Sequence, residues 1–286
     1  MQDTAAPLES WIGRSEARRD LITAAPMSAL VATLDHPERD IDHGTPLPPL
    51  WHWLYFLPVH RQSGIGPDGH PLRGGFLPPV PLPRRMWAGS QIEFRAPIRI
   101  GDRVVRTSTI DDVRRKDGRT GQLVFVRVRH EIRCNDESDP ALVEFHDIVY
   151  RDAQRTDDLP PPPQPAPSGA AWRREVVPDQ VLLFRYSALT FNGHRIHYDR
   201  RYVTEVEGYP GLIVHGPLIA TLLLDLVWRN QPGTEVAEFR FKALRPTFDL
   251  HSFSVNGTPQ ADGKSVKLWG ADHDGYLTMD AEARLR

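Results

Sequence analysis

The chain has 286 residues, with 35 basic and 37 acidic side chains and a formal net charge of −2. This length allows two modules of roughly 140 residues each. The balanced charge gives no reason to expect nucleic acid or an anionic membrane as a partner. The single cysteine, Cys134, excludes an intrachain disulfide and a multi-cysteine zinc site. Since neither a secretory signal nor an apolar run of about 18 residues is found, we expect a cytoplasmic protein without a membrane partner.

The first half of the sequence predicts helices followed by strands. Helical patterning covers 10–34, with an interruption at Pro26, and an aromatic, apolar run follows at 50–57. A loop rich in proline and glycine occupies 58–84. Strand-like runs then cover 91–94, 103–110, 122–133 and 141–150. The third of these alternates in the way that is typical of a half-buried antiparallel strand.

The second half repeats this order of elements. A helical stretch near 186–192 precedes a helix at 200–207, which Asp199 caps and Gly208 ends. A third helix is expected at 217–228. Strands are expected at 235–244, 251–257, 265–272 and 275–286.

A run of prolines separates the two halves and favours an extended, semi-rigid spacer. We therefore divide the chain into an N-terminal module (1–152), a proline-rich linker (153–171) and a C-terminal module (172–286). Because both modules share one order of elements, the pattern indicates a duplication.

The helix at 217–228 is apolar on nearly every face, with Asp225 as its single charge. Such a helix has to be enclosed, and the antiparallel strands that follow it can curl around it. This arrangement is the hot-dog architecture. The predicted fold class is α+β, a double hot-dog with two central helices, each wrapped by an antiparallel sheet.

The most informative segments are YSALTFNGHRIHYD at 186–199 and LIVHGP at 212–217. They resemble the signature of MaoC-type enoyl-thioester hydratases, and their residues are most similar to those of the hydroxyacyl-thioester dehydratase type 2 family. Two further stretches, 47–53 and 74–89, also resemble this family, so the resemblance covers most of the chain. It implies a hydratase of CoA thioesters, from a family that includes bacterial mesaconyl-CoA and itaconyl-CoA hydratases.

Hydration of an enoyl thioester requires a held water, a group that moves its proton and donors for the developing enolate oxygen. The resemblance assigns proton transfer to His197 and the holding of the water to Asn192. The backbone N–H of Gly216, at the start of a helix, would polarise the thioester carbonyl. His215, just before this helix, is expected to have a packing or capping role.

One departure affects this assignment. The wider MaoC pattern has an aspartate where this chain has Asn192, and an amide cannot accept a proton. Either His197 carries out all of the proton transfer, or the role of the acid has moved to another residue. No cofactor is expected. The spacing of His194 and His197 suggests a metal pair, but no third ligand is spaced to join them, so no metal is expected.

Further candidates concern substrate binding. Arg85, Arg185 and Arg195 could each pair with a substrate carboxylate, and His194 lies within the motif. Trp51 and Trp53 could line the acyl pocket. The first module is expected to shape this pocket without carrying out chemistry.

The sequence thus predicts a hydro-lyase that adds water to a short enoyl-CoA, such as itaconyl-CoA or mesaconyl-CoA, to give citramalyl-CoA. Three alternatives remain open: a 3-hydroxyacyl-thioester dehydratase of fatty-acid synthesis, a hot-dog thioesterase, and a non-catalytic acyl-CoA-binding module. A homodimer is also compatible with the fold.

Overall fold

The computed structural model describes residues 7–38, 40–118, 121–152 and 162–286, which contain three α-helices and ten strands. The helices are α1 (Ala24–Thr33), α2 (Gln180–Leu189) and α3 (Gly216–Asn230). The strands are β1 (Ser15–Leu21), β2 (Arg84–Phe94), β3 (Arg103–Gly118), β4 (Gly121–Cys134), β5 (Leu142–Arg151), β6 (Trp172–Val176), β7 (Val236–Ala243), β8 (Phe253–Pro259), β9 (Ser265–Ala271) and β10 (Leu277–Leu285). None of the described helices is long and apolar enough to cross a membrane.

All ten strands pair in one antiparallel sheet, in the order β1-β3-β4-β5-β2-β7-β10-β9-β8-β6. This order is symmetric about the β2–β7 pair, since β1 to β5 occupy the places that β6 to β10 occupy on the other side. The two halves join where Ile92 lies opposite Phe239 and Gly89 lies opposite Lys242. The symmetry agrees with a duplicated pattern. The module boundaries remain a prediction, and residues 153–161 of the predicted linker lie outside the described residues.

Helix α3 forms the core of the second half. Its residues from Leu218 to Val227 are all buried, and it packs against β6, β8, β9 and β10. Pro217 lies in the first turn, where its missing N–H removes no helix hydrogen bond. The enclosure expected from the sequence is therefore present around α3.

The charge within this apolar helix lies against three side chains, one from α3 itself and two from elsewhere in the fold. The carboxylate of Asp225 lies 2.6 Å from Nη1 of Arg174, 2.7 Å from Nε of Arg229 and 2.6 Å from Nε2 of His36. Both arginines also donate to the carbonyl of Leu34 at the end of α1. This network ties α3 to the first half of the chain.

The first half differs from the second in its central helix. The aromatic, apolar run at 50–57, which stands in the place of α3 in the shared order of elements, forms only a 3₁₀ turn, Trp51–Leu54. Prolines precede and follow this run, and Leu50 and Phe56 have positive φ values of 71° and 54°, which end helical geometry on both sides. The inner face of the sheet in this half is therefore covered by a short turn instead of a helix.

Two strands were missed by the sequence analysis. The helix expected at 10–34 is a 3₁₀ turn (Leu8–Trp11), strand β1 and α1, so that the helical expectation is wrong for residues 15–21. Strand β1 pairs with β3 at the sheet edge, and β6 takes the same place in the second half. Edge strands expose alternate polar residues, and their pairing depends on distant sequence.

The region expected as a helix at 200–207 is a short π-helical turn, Tyr202–Val206. The capping prediction is confirmed, because Oδ1 of Asp199 accepts the backbone N–H of Tyr202 at 3.0 Å. Gly208 follows with a φ of 72° and ends the turn.

Candidate active site

A cleft of about 1640 Å³ lies beside the N-terminus of α3 and is lined by both halves of the chain. The second half contributes Asn192, His194, His197 and Gly216. The first half contributes the loop before β2 and the inner faces of β2 to β5. The motif residues therefore face a single space that the N-terminal half helps to enclose.

Asn192 lies in the turn that follows α2. Its backbone N–H donates to the carbonyl of Ser187 at 2.8 Å, and its Oδ1 accepts the backbone N–H of His194 at 3.0 Å. The side-chain carbonyl thus holds the turn. What Asn192 offers to a water in the cleft is the N–H end of its amide.

His197 lies at the end of a 3₁₀ turn, Arg195–His197, and is buried. Its Nδ1 lies 2.7 Å from the carbonyl oxygen of Ile213. A carbonyl only accepts, so Nδ1 carries the proton and Nε2 is left as a hydrogen-bond acceptor. Burial lowers the pKa of His197 to about 4, which makes the ring neutral at pH 7.

His215 supports this ring from behind. The two imidazoles stack at 3.7 Å between centroids, and Nε2 of His215 lies 2.8 Å from Oγ of Ser187. Burial, followed by the nearby His197 and His194, holds the pKa of His215 well below the usual range. The packing role expected for His215 agrees with these contacts.

Gly216 begins α3 and lines the cleft. The first N–H groups of a helix have no intrahelical partner, and Pro217 has no N–H at all. The N–H of Gly216 therefore stands at the positive end of the helix dipole, where a developing negative charge is stabilised.

The loop that precedes β2 packs against residues 192–197, which we call the motif turn. The backbone N–H of Arg195 donates to the carbonyl of Asp68 at 2.9 Å, and Nη1 of Arg195 donates to the carbonyl of Pro67 at 2.9 Å. The ring of His70 lies 4.0 Å from the ring of His194. Two side chains that the sequence analysis did not single out, Asp68 and His70, therefore reach the cleft beside the motif.

Asp68 and His70 form a hydrogen-bonded pair. Nδ1 of His70 lies 3.0 Å from Oδ2 of Asp68, and the backbone N–H of His70 donates to Oδ1 at 3.0 Å. Burial acts to raise the pKa of Asp68, but the hydrogen bonds with His70 outweigh it and hold this pKa well below the usual value. The carboxylate is thus ionised, and it fixes the proton of His70 on Nδ1.

The structure corrects the argument made from sequence about a third metal ligand. Asp68, His70 and His194 place three potential ligand atoms within 4.8 Å of one another. The fold, and not the spacing in sequence, brings them together. The expectation of a metal-free site remains a prediction.

The predicted substrate-binding residues separate into three groups. Arg85, Trp53 and His194 line the cleft. Arg195 also borders it, but its guanidinium donates to Asp199 at 2.8 Å and 3.0 Å and stacks on Tyr202. It also donates to the carbonyl of Pro67, so it links its own segment to the loop before β2.

The other two candidates do not reach the cleft. Arg185 is an exposed residue of α2, and Trp51 is buried in the core next to His36. Helical patterning and aromatic character alone could not tell a core position from a cleft wall.

A polar cluster on the inner face of the first half was also missed. Glu144 accepts hydrogen bonds from Ser90 and from Nε1 of Trp53, and lies 3.2 Å from Nε2 of His52. The cluster continues with Arg106, Ser108, His130 and His146, which also line the cleft. The signal was present in the sequence as polar residues at alternate positions of strands that are otherwise apolar.

Comparisons with known proteins agree with this geometry. The model of the family described as hydroxyacyl-thioester dehydratase type 2 matches residues 50–249. The chain is 45% identical to the mesaconyl-C(4)-CoA hydratase of Chloroflexus aurantiacus over 284 residues, which cover 98% of this chain and 99% of the relative.

Solved structures show the same fold at low identity. HtdX of Mycobacterium tuberculosis superimposes with a TM-score of 0.66 at 18% identity, covering 96% of this chain and 100% of HtdX. A second M. tuberculosis protein, described as having a double hotdog fold, gives a TM-score of 0.59 at 12% identity and covers 96% of both chains. The double hot-dog prediction is confirmed.

Proposed function

The chain belongs to the hydroxyacyl-thioester dehydratase type 2 family and is a hydro-lyase of CoA thioesters, and from that premise we propose that its substrate is a short enoyl-CoA with a free carboxylate. One observation supports a hydration site above all: a neutral imidazole, His197, turns an unprotonated Nε2 to a cleft at the start of α3. This arrangement supplies an acceptor for water next to a donor for the thioester oxygen.

Three residues have separate roles in the proposed hydration. Nε2 of His197 accepts a hydrogen bond from the water, and the amide N–H of Asn192 donates to its oxygen. With mesaconyl-CoA, whose double bond is conjugated with the thioester, the water oxygen attacks the β-carbon while the electron pair of the double bond moves toward the thioester. The thioester oxygen accepts a hydrogen bond from the N–H of Gly216. The proton lost by the water then has to reach the α-carbon, which completes the addition of water.

The substrate proposal rests on the name of the relative from C. aurantiacus. We take mesaconyl-CoA or itaconyl-CoA as the substrate and citramalyl-CoA as the hydrated product, which would place the enzyme in itaconate breakdown. A cytoplasmic location and a homodimer remain predictions. So does the division of the chain into two duplicated modules with unequal duties.

Arg85 is the partner that we propose for the free carboxylate of the substrate. It is half-buried and lines the cleft, and its charge acts to lower the pKa of Tyr150, which burial raises. Its charge also acts on His70 and His194, which places it next to the motif. A guanidinium at this position suits a planar carboxylate.

The test of the activity is a panel of enoyl-CoA thioesters, following the loss of enoyl absorbance and the mass of the product. We expect the dicarboxylic substrates to be hydrated and long acyl chains to be poor substrates. Release of free thiol would indicate a thioesterase, preference for long chains a dehydratase of fatty-acid synthesis, and binding without turnover a silent module. His197→Ala should lose at least about 100-fold in kcat, whereas the exposed His273→Gln, outside the cleft, should keep wild-type activity.

The carboxylate partner is tested with Arg85→Gln. Loss of the charged pair should raise KM for mesaconyl-CoA at least about tenfold. Crotonyl-CoA, which has the same double bond but no carboxylate, serves as the internal control and should show an unchanged KM. An equal effect on both substrates would remove Arg85 from carboxylate recognition.

A further inference from the structure

Neither Asn192 nor His197 is suited to carry the proton that moves from the water to the α-carbon. Asn192 cannot accept a proton, and its carbonyl end is engaged with the backbone of His194. Among the described residues, no carboxylate pairs with His197: its Nδ1 faces the neutral carbonyl of Ile213 and its ring lies against His215. A positive charge on His197 would therefore be buried without a counter-charge, which is unfavourable.

We propose that His70, oriented by Asp68, is this proton carrier and that the N-terminal half thereby supplies a catalytic residue to the motif of the C-terminal half. This assignment rests on the proposed hydration and divides between two imidazoles the work that the sequence assigned to His197 alone. His197 then serves as the acceptor that holds the water.

The contacts of His70 fit a general base. Its Nδ1 donates to the ionised Asp68, so that Nε2 is the acceptor, and its ring lies 4.0 Å from His194 at the wall of the cleft. A carboxylate on Nδ1 both fixes the tautomer and stabilises the imidazolium that forms when Nε2 accepts a proton. Among the histidines of the motif, neither His194 nor His197 has such a partner in the described part of the chain.

The loop that carries this pair is held at a fixed distance from the motif. Gly69, between the two residues, has a φ of 89°, and a Cβ placed on it would lie 1.8 Å from the carbonyl oxygen of Gly193. The motif turn also requires a glycine here, since a Cβ placed on Gly193 would lie 2.9 Å from the carbonyl oxygen of Gly69. Two glycines thus allow the backbones to touch, which brings His70 to the substrate side of the cleft.

The electrostatic surroundings of His70 keep it neutral and ready to accept a proton. Burial lowers its pKa, Arg85 and Arg73 act in the same direction, and Asp68 opposes them. A protonated His70 would also lower the pKa of His197, so a positive charge on one ring disfavours a second positive charge on the other.

The step balances without any further reactant. The O–H bond of the water breaks as its oxygen bonds to the β-carbon, and the proton goes to Nε2 of His70. The double-bond electrons move to the α-carbon and the thioester oxygen. The imidazolium of His70 then gives the same proton to the α-carbon, which restores the neutral ring beside the Asp68 carboxylate.

The first test is His70→Gln, an uncharged replacement that keeps a polar group at the cleft. With the substrate that the wild-type enzyme hydrates best, kcat should fall about 10²- to 10³-fold while KM stays within about threefold. Exposed His273→Gln is the matched control and should keep wild-type values. A His70→Gln enzyme that keeps half of the wild-type kcat would overturn the proposal.

Two more measurements separate proton transfer from a structural role. In His70→Ala, added imidazole should restore part of the lost activity, since a free base can occupy the space of the missing ring. In Asp68→Asn, kcat should fall at least about tenfold, and the acidic limb of the kcat/KM profile should move to lower pH because the carboxylate that raises the pKa of His70 is gone. No rescue by imidazole, or an unchanged acidic limb, would contradict the assignment.

Dialysis against EDTA tests whether Asp68, His70 and His194 bind a metal ion instead. Activity should be unchanged; loss of activity that Zn²⁺ restores would mean that Asp68, His70 and His194 hold a metal, and it would overturn the proton-carrier role. The proposed function fails differently, since the wild-type enzyme itself would then be inactive on every enoyl-CoA. That result would overturn both conclusions.

Discussion

His70 and His197, the two imidazoles assigned to the reaction, are both uncharged at pH 7. Burial lowers the pKa of His197 to about 4, and its neighbours are the carbonyl of Ile213 and the rings of His215 and His194, none of which is an anion. Burial also lowers the pKa of His70. The resting site is therefore a pair of acceptors, which suits the deprotonation of water.

This protonation state predicts the pH dependence of the enzyme. Because the acceptor form is lost as pH falls through the folded-state pKa, kcat/KM should be constant near neutrality and should decrease only below the usual histidine range of about 6.5. The measurement is kcat/KM from pH 4.5 to 8.5 at constant ionic strength, with the fold checked by circular dichroism at each pH. A site that needed an imidazolium would show the opposite, a loss of activity as pH rises through 6.5.

At the scale of elements, the contact between the loop before β2 and the motif turn is the most sensitive junction. In Gly69→Ala the new methyl group meets the carbonyl of Gly193, so the loop has to move away from the cleft. We expect at least a tenfold loss of kcat, of the size that small displacements of reacting groups produce. Steady-state kinetics on the best substrate measure it.

The matched control for this variant is Gly44→Ala, in a turn outside the cleft. Gly44 also has a positive φ, 87°, but no atom of the described residues lies within 4 Å of its Cβ position. Both variants should lose about 1 kcal/mol of unfolding free energy from backbone strain, and only Gly69→Ala should lose activity. Equal activities would show that the contact between the two loops does not matter for catalysis.

Also at the scale of elements, Asp225 on helix α3 is expected to contribute to the free energy of unfolding. Asp225→Asn removes the charge that two arginines and His36 share inside the fold. We expect a loss of about 3 kcal/mol in unfolding free energy by urea denaturation. Asp280→Asn, which breaks a half-exposed pair with Lys267, is the control and should cost less than about 1 kcal/mol. Similar losses for both would mean that the buried network adds no more than a surface pair.

At the scale of the whole molecule, the two halves share one sheet and one main hydrophobic core. The sheet is continuous through the β2–β7 pair, and the main hydrophobic core contains residues from α1, the 3₁₀ turn Trp51–Leu54 and α3. Separating the halves would expose this core and an unpaired strand edge. We therefore expect one cooperative unfolding transition.

Tryptophan fluorescence and far-ultraviolet circular dichroism, recorded over the same denaturant series, check this. The two curves should coincide within their error. Distinct midpoints for the two signals would instead support independent modules joined by the proline-rich linker.

The sequence by itself predicted the chemistry of the second half. The apolar run of α3 predicted an enclosed helix, and the motif around Asn192 and His197 resembled a hydratase signature, because each signal lies within about 15 consecutive residues and depends on local order. The capping role of Asp199 was readable for the same reason.

Only the tertiary structure decided what the first half contributes. The proline- and glycine-rich loop gave no periodic signal, yet it carries Asp68 and His70 to within hydrogen-bond and ring contact of the motif more than 120 residues away. Likewise, the choice among Arg85, Arg185 and Arg195 depended on which guanidinium faced the cleft and which was already engaged. Local patterns record burial and turns, whereas the meeting of two distant loops depends on the pairing of the whole sheet.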